Sequence, residues 1–300
     1  MAIPDKFKPM KASSTTVEEL PIPCYVGTKY DGIRAVVIDS KVYSLSLKLI
    51  RNWRIQEKYG KPEYNGLDGE LVVGDIYAPD VFNKTTSIVM AQDKEINDVK
   101  FYIFDDFTAP DTIYELRKLM GRLKLQANPL EGLVDAFATL CHSREEIQAL
   151  MDEQAALGGE GLIARKVGCR YKYGRSSVRE GYLLKLKFYE QKEFKVVGFT
   201  EQMHNTNEAV INELGRTARS SAQDGLVPKD TLGALELELD AEKTFHCGTG
   251  FSDEDRKEIW NNQQKYLHKW ASIRYMKTGT KDVPRQPVFV GFRDQDDMSE

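Results

Sequence analysis

Short β-type runs dominate the chain, and this pattern constrains its fold more than any other feature. The first three runs, rich in Val, Ile and Tyr, occupy residues 25–28, 33–38 and 42–45, with Asp-Gly or Asp-Ser turn signals between them. Further candidate strands lie at residues 69–73, 101–104, 134–140, 161–165 and 182–187. The sequence therefore predicts that a small antiparallel sheet opens the protein.

Two amphipathic helices interrupt these strands. The first is predicted over about 113–126, with Asp111 as its N-cap. The second begins at Ser143, where Glu146 three residues later completes a capping box, and ends at the glycine pair 158–159. Because strands and helices mix without a βαβ alternation, the pattern predicts the α+β class.

The pattern changes after residue 189. Strands are predicted at residues 194–200, 235–239, 244–247, 271–275 and 288–292, with one helix at about 253–260. Five strands in this length are typical of a small barrel. A polar stretch at 203–233 shows almost no apolar periodicity and is predicted as a long excursion or mobile module. We therefore expect two domains, 1–189 and 190–300.

Composition limits the possible partners. Lys and Arg total 42 against 46 Asp and Glu, so any surface for nucleic acid must be local. No run of eighteen apolar residues occurs, and no apolar run follows the lysines near the N-terminus, so we expect a chain that is neither membrane-spanning nor secreted. The four cysteines lie far apart without a CxxC pair, which predicts reduced thiols in a soluble, cytosol-like intracellular setting.

The first segment that indicates chemistry is KYDGIR at residues 29–34, of the form KxDGxR. A lysine at a strand end can act as a nucleophile on a phosphorus or carbonyl centre when nearby positive charge or desolvation favours the neutral amine. The alternative is a surface hairpin with an Asp-Gly turn.

Four more segments follow in order: LDGEL at 67–71, FYIFD at 101–105, EGLIARK at 160–166 and LKLK at 184–187. Each has a structural alternative, such as a turn, a core aromatic, a solvated acid or a half-buried strand. Because the segments occur together and in this order, we favour a shared functional role over separate structural roles.

These five segments resemble motifs I, III, IIIa, IV and V of the covalent nucleotidyltransferases. CGTGFS at 247–252 and PRQPVFVGFR at 284–293 are similar to the GTGF segment and the RxPxFxxxR motif of ATP-dependent DNA ligases. Within that family, the chain resembles the minimal chlorella virus type in its length, in the KYGRS segment at 172–176 and in NTN at 205–207. The resemblance runs nearly end to end. The resemblance implies a nucleotidyltransferase (adenylation) domain followed by an all-β OB-fold domain, with a latch-like insertion at about 203–233.

The resemblance also implies roles for individual residues. Lys29 would become linked to AMP, the main chain of Thr28 would read the adenine, and Phe104 would stack on it. Glu70 would accept from the ribose hydroxyls, and Glu160 would bind Mg²⁺ or another divalent cation. The expected phosphate ligands are Arg34, Lys185 and Lys187, with Arg285 and Arg293 expected at the pyrophosphate leaving group. Phosphoryl transfer needs such cations and a metal-binding carboxylate.

The sequence departs from the family at two places. Leu45 follows Ser44 where the family usually has an arginine, and Arg51 or Lys48 could replace that phosphate contact in part. The stretch 203–233, which corresponds to a lysine-rich latch, has three basic residues against four acidic ones. We therefore expect the residues that attract DNA phosphates to lie mainly outside this stretch.

Residues 160–195 contain ten basic residues against four acidic ones, which suits contact with DNA phosphates. The alternative is a solvated strand edge kept soluble by lysines. The expected DNA-binding residues are Arg170, Lys172, Arg175 and Arg179, with Arg216 and Arg219 in the insertion.

The sequence thus predicts an ATP-dependent DNA ligase that seals 3′-OH/5′-phosphate nicks in duplex DNA through lysine-AMP and DNA-adenylate intermediates. We expect a monomer with roles in DNA repair and replication, and the resemblance implies a virus-encoded enzyme. One alternative is an RNA ligase or a capping guanylyltransferase, against which the two C-terminal motifs argue. Another is a catalytically dead nick-binding module, against which the intact Lys29, Glu70 and Glu160 argue.

Overall fold

The computed structural model describes residues 7–211, 217–220, 222–276 and 283–293. It divides into two compact units, with the division between Phe188 and Tyr189. Among the helices in the described ranges, none is both long and apolar enough to cross a membrane.

The first unit contains two five-stranded sheets. Its strands are β1 (Ser13–Ser14), β2 (Cys24–Thr28), β3 (Ile33–Ile38), β4 (Lys41–Ser44), β5 (Leu67–Val73), β6 (Val99–Asp106), β7 (Leu133–Asp135), β8 (Ala138–Cys141), β9 (Gly161–Lys166) and β10 (Leu184–Lys187). One sheet has the order β1-β10-β9-β2-β8 and the other β4-β3-β5-β6-β7. Neighbours are antiparallel except for the pairs β1/β10 and β6/β7.

Four α-helices cover these sheets: α1 (Trp53–Tyr59), α2 (Val81–Val89), α3 (Tyr114–Ala127) and α4 (Arg144–Ala156). A 3₁₀ turn lies at Pro62–Tyr64. The predicted helices correspond to α3 and α4, but the predicted N-cap of α3 is wrong. The cap position is Ile113, and its side chain makes no capping hydrogen bond. Ser143 caps α4 as predicted and accepts from the Glu146 main chain, whereas the Glu146 carboxylate accepts from His142.

The single strand predicted over 134–140 is also wrong, because the chain changes sheets there. β7 pairs with β6 in one sheet, whereas β8 pairs with β2 in the other. The crossing residues Ala136 and Phe137 lie between them, and Ala136 N donates to Ile103 O. A buried cluster that includes Phe7, Met10, Val36 and Tyr171 draws residues from both sheets.

The second unit is built around a five-stranded sheet of order β15-β14-β11-β16-β17. Its elements are β11 (Glu190–Asn205), β12 (Ala209–Ile211), β13 (Thr217–Arg219), a 3₁₀ turn (Gln223–Gly225), β14 (Leu226–Glu238), β15 (Thr244–Cys247), α5 (Asp253–Asn261), α6 (Gln263–Tyr266), β16 (Trp270–Met276) and β17 (Arg285–Arg293). Ser252 caps α5 in a complete capping box.

The stretch 203–233 was predicted as a polar excursion, but its two ends, residues 203–205 and 226–233, extend the five-stranded sheet. β11 continues to Asn205 and β14 begins at Leu226, and the two strands pair antiparallel as far as Asn205–Leu226. A smaller pair, β12/β13, lies between them. We call the described residues of this stretch, 203–211, 217–220 and 222–229, the hairpin extension. Exposed side chains such as Met203 and Val227 explain why the sequence showed no alternating pattern there.

The two C-terminal motifs lie side by side in this unit. Phe289 N donates to Thr249 O at 2.9 Å, and the Phe251 and Phe289 rings stack 4.4 Å apart. Gly250 has φ of +95°, and a Cβ there would lie 2.3 Å from Phe289 O. Only glycine fits at this crossing of the two motifs.

Candidate active site

A cavity of about 160 Å³ lies within the first unit and receives residues from both of its sheets. Six of the residues predicted from the sequence line it: Thr28, Lys29, Arg34, Glu70, Phe104 and Lys185. They come from strands or strand ends distant in sequence, so the fold gathers them. The chain crossing at Ala136 and Phe137 supplies another part of the wall.

The position of Lys29 follows from the pairing of β2 with β9. Thr28 is opposite Leu162, and Lys29 N donates to Gly161 O at 3.0 Å. Gly161 has φ of +150°, and a Cβ there would lie 2.0 Å from Leu186 O, so only glycine lets β10 approach this closely. This register places Lys29 beside Glu160, the residue just before Gly161.

Glu160 bridges two lysines. Lys29 Nζ donates to Glu160 Oε2, and Lys187 Nζ lies 3.5 Å from Oε1. The Lys29 and Glu160 side chains are 19% and 7% exposed, so this is a partly desolvated cluster rather than a solvated surface pair. Lys187 therefore reaches the site through Glu160, although it does not line the cavity.

Arg34 is held by Asp68, a partner that the sequence reasoning did not assign. Arg34 Nε and Nη2 donate to the two Asp68 carboxylate oxygens at 2.6 and 2.7 Å. The guanidinium also lies 4.5 Å from the centroid of the Phe104 ring. Asp68 belongs to the LDGEL segment, so the motif itself could have indicated it.

The buried charges perturb one another. Desolvation raises the pKa of Glu70 to about 7, although the Arg34 and Lys29 cations act to lower it. Desolvation lowers the pKa of Lys185, and the positive charges of Lys187 and Lys29 lower it further. Such perturbed groups in one cavity are typical of functional sites.

A second ionic cluster supports the aromatic wall. Arg165 Nη1 donates to Asp105 Oδ2 at 2.8 Å, and its guanidinium lies 5.7 Å from the centroid of the Phe104 ring. The fully buried Arg117 donates to the same carboxylate. Arg165 is only 3% exposed, so counting it among the basic residues for DNA was wrong. No local pattern in the sequence indicates this pairing, because Asp105 and Arg165 are far apart in the chain.

The donor set near Lys29 suits a divalent cation that binds together with phosphate. Among the described residues, no group of three or more His, Cys, Asp or Glu side chains is placed to hold a metal. Mg²⁺ is commonly bound by one or two carboxylates plus substrate phosphates and water. Glu160 supplies one such carboxylate beside Lys29, although it does not itself line the cavity, so the site fits a cation that arrives with a nucleotide.

Three further predicted nucleotide ligands are not among the described residues that line the cavity. Arg51 is exposed and lies between β4 and α1, flanked by the buried Ile50 and Asn52. Arg285 and Arg293 occupy the two ends of β17 in the second unit. Arg293 Nε lies 3.9 Å from Glu193 Oε1 within that unit.

The predicted DNA-binding residues differ in how firmly they are held. Arg170 is 69% exposed, and Arg179 is also exposed. Arg175 Nη1 donates to Ala12 O, and Lys172 Nζ contacts both oxygens of Glu180 at 2.6 and 2.7 Å. That pairing lowers the pKa of Glu180 to about 2. Part of the positive charge expected here is thus neutralised locally.

Of the two DNA-binding residues predicted in the insertion, one lies among the described residues. Arg219 is exposed on β13 and donates to Asn207 O, whereas Arg216 lies outside the described residues. Asn205 and Asn207 donate to the main-chain oxygen of Ser220 and so link the two sides of the hairpin extension.

Two family models match this chain. The ATP dependent DNA ligase domain matches residues 4–187, and the DNA ligase OB-like domain matches residues 227–293. A search of curated proteins found no match.

Solved structures agree with these assignments. A structure of chlorella virus DNA ligase-adenylate is 28% identical, covers 97% of this chain and 100% of its own, and has a TM-score of 0.55. A structure from a study of minimal Lig E DNA ligases has a TM-score of 0.73 at 22% identity and covers 97% of this chain and all of its own. At that identity, the second match supports the fold alone.

Fold and family models together define a nucleotidyltransferase domain followed by an OB-like domain, which confirms the predicted fold class. The chain belongs to the ATP-dependent DNA ligases, and it is an enzyme.

Proposed function

We propose that this ligase seals nicks between a 3′-hydroxyl and a 5′-phosphate in duplex DNA, through a Lys29-AMP intermediate and a DNA-adenylate. The observation that carries the proposal is the position of the Lys29 amine. It lies at a cavity with an aromatic wall at Phe104 and basic side chains at Arg34 and Lys185. This arrangement offers a surface for a base, a nucleophile and charge for a phosphate.

In the first step, Lys29 Nζ attacks the α-phosphorus of ATP. A P–N bond forms, the P–O bond to pyrophosphate breaks, and the amine loses a proton. Glu160 already accepts a hydrogen bond from this amine, so a proton acceptor is in place. Arg34, Lys185 and Lys187 would stabilise the charge on the α-phosphate.

In the second step, an oxygen of the 5′-phosphate at the nick attacks the AMP phosphorus and releases Lys29. In the third, the 3′-hydroxyl attacks the activated 5′-phosphate, the phosphodiester forms and AMP leaves. A bound divalent cation would neutralise phosphate charge, and Glu160 is the residue that would hold it.

The remaining residues receive supporting roles. Phe104 would stack on adenine, the Thr28 main chain would read its amino group, and Glu70 would bind the ribose hydroxyls. We assign Arg285 and Arg293 to the pyrophosphate, and Arg51 to a partial phosphate contact.

The proposed partner is nicked duplex DNA, bound by a monomer. Arg170, Lys172, Arg175 and Arg179 would contact its phosphates, with Arg216 and Arg219 contributing from the insertion. We place the domains at 1–189 and 190–300. A virus-encoded origin and a reducing intracellular setting stay predictions.

A sealing assay tests this function. The full chain, ATP and Mg²⁺ are incubated with a labelled nicked duplex, and products are separated on a denaturing gel. We expect sealing only when the nick carries a 5′-phosphate and a 3′-hydroxyl. Matched nicks with RNA on either side separate a DNA ligase from an RNA ligase, and preference for an all-RNA nick would contradict the proposal.

A further inference from the structure

The Arg34 guanidinium is fixed by a closed circuit of hydrogen bonds that involves Tyr171. Arg34 donates to both Asp68 oxygens and, through Nη2, to Met10 O at 3.3 Å. Met10 N donates to the Tyr171 hydroxyl at 3.2 Å, and that hydroxyl donates to Asp68 Oδ2 at 2.6 Å. The circuit therefore links a cavity residue to a tyrosine 103 residues beyond Asp68 in the chain.

Burial makes this circuit rigid and sensitive to loss. Asp68 is fully buried, Met10 is fully buried, and Tyr171 is 4% exposed. Desolvation, together with the adjacent Asp68 carboxylate, raises the pKa of Tyr171 well above its usual value, so the phenol stays protonated and donates. Removing one member would leave buried polar groups without their partner, which is costly.

The circuit leaves one edge of Arg34 available. Nε and Nη2 are used by Asp68 and Met10, whereas Nη1 makes no hydrogen bond to another described residue. Arginine has five N–H groups in a rigid plane, so fixing one edge determines where the other points. Arg34 lines the cavity and lies over the Phe104 ring.

The ring of Tyr171 has a separate structural task. It contacts the rings of Phe7, Phe107 and Tyr173 at centroid distances of 6.3, 5.9 and 6.4 Å. Its main-chain N–H donates to Pro110 O. Replacing tyrosine with phenylalanine would keep these contacts and remove the hydroxyl alone.

We propose that the Tyr171 hydroxyl positions Arg34 for the first reaction step, by holding Asp68 and Met10 in the geometry that aims the guanidinium at the α-phosphate. This inference rests on the proposed function. Tyr171 touches no reacting atom, so it is a positioning residue and acts only through Arg34.

The test measures how fast Lys29-AMP forms at increasing ATP concentration, with Mg²⁺ and without DNA, in the full chain. We expect Tyr171→Phe to lower the maximal rate by about tenfold. Tyr173→Phe is the matched control, because it removes a hydroxyl from a neighbouring ring of the same cluster. It should keep the wild-type rate.

A double-mutant cycle separates positioning from general destabilisation. In an Arg34→Gln background, adding Tyr171→Phe should cause no further loss, because its effect passes through Arg34. If the two losses multiply, or if Tyr171→Phe matches Tyr173→Phe, the positioning role is wrong.

Asp68→Asn provides a second route if Tyr171→Phe folds poorly by thermal unfolding. It keeps the side-chain shape and weakens the same link, and we expect a loss of at least about tenfold that also vanishes in the Arg34→Gln background. A wild-type rate for Asp68→Asn would overturn the inference. Absence of any Lys29-AMP adduct in the wild-type chain would overturn the proposed function as well. If the wild-type adduct forms normally and Tyr171→Phe forms it at the wild-type rate, only the positioning role is overturned.

Discussion

The Lys29 cavity and the hairpin extension use charge in opposite ways. Around the cavity, Lys29, Glu160, Arg34 and Asp68 are at most 19% exposed, and each has an oppositely charged partner. In the hairpin extension, Arg219 is exposed, and Asn205 and Asn207 donate hydrogen bonds to the main-chain oxygen of Ser220. The protein's own ion pairs thus hold the charged side chains around the cavity, whereas the charged side chains described in the extension, such as Arg219, are exposed. We therefore expect substitutions at the cavity to lower the adenylation rate, and changes in the extension to weaken nick binding.

The largest effect should come from Lys29 itself. Lys29→Ala should reduce both ATP adenylation and nick sealing to background, because Lys29 supplies the nucleophile in the proposed mechanism. The same variant should still seal nicked DNA that is already adenylated, since the third step needs no lysine nucleophile. Lys166→Ala, at an exposed lysine of β9, is the control. Failure on the pre-adenylated nick would show that Lys29 has another role.

Glu160→Ala should lower the adenylation rate by at least about tenfold, because the carboxylate bridges Lys29 and Lys187 and would hold the cation. Glu153→Ala, at an exposed acid on α4, should leave the rate unchanged. Rates measured across Mg²⁺ concentrations test the cation role. If Glu160→Ala adenylates at the wild-type rate at every Mg²⁺ concentration, Glu160 has only a structural role as an ion-pair partner of the lysines.

The double variant Arg285→Ala/Arg293→Ala should lower the rate of Lys29-AMP formation and leave the sealing of a pre-adenylated nick unchanged. The reason is that pyrophosphate leaves only in the first step. We expect a loss of about tenfold or more in the first step, on the scale of one lost charge interaction. Equal loss on both substrates would make these residues structural or DNA-contacting.

The hairpin extension and the Arg170–Arg179 group can be compared through salt. Replacing residues 205–229 with a short Gly/Ser linker should leave adenylation nearly intact and weaken nick binding. It should change the slope of log affinity against log salt by about two units or less, because few phosphate contacts are lost. Neutralising Arg170, Lys172, Arg175 and Arg179 together should change the slope more. The reverse order would show that the DNA-binding charge lies in the extension.

The smallest effect concerns pH. With a pKa of about 7, Glu70 is largely protonated at pH 6 and ionised at pH 8. If it accepts from ribose hydroxyls, ATP affinity should rise a few-fold over this range, and Glu70→Gln should remove the dependence. Because burial raises this pKa, the contribution of Glu70 to stability is greatest below pH 4.5 and is lost as pH rises through 7. An unchanged pH profile in Glu70→Gln would exclude this role.

The sequence predicted regions where packing follows a local rule. Helix α3 was placed within one residue of Tyr114–Ala127 from its apolar period. Burial does not follow that period, because Leu116, Leu119 and Leu123 are exposed. Strand β3 matched residue for residue, because its burial is nearly continuous. The short helix α1 was missed, since seven residues with only Ile55 and Tyr59 buried give a weak period.

Contacts between distant segments were harder to predict. The motifs indicated Lys29, Glu70, Phe104 and Lys185, and the structure brings these four to one cavity. Nothing local predicts that the Tyr171 hydroxyl reaches Asp68, because that contact depends on how the two sheets pack.

Mapping the AMP adduct tests the central claim most directly. The full chain is incubated with ATP and Mg²⁺ in the absence of DNA, digested near neutral pH to preserve the acid-labile P–N bond, and analysed by tandem mass spectrometry. We predict AMP on Lys29 alone and no adduct in Lys29→Ala. AMP on Lys185 or Lys187, or an adduct that persists in Lys29→Ala, would contradict this account.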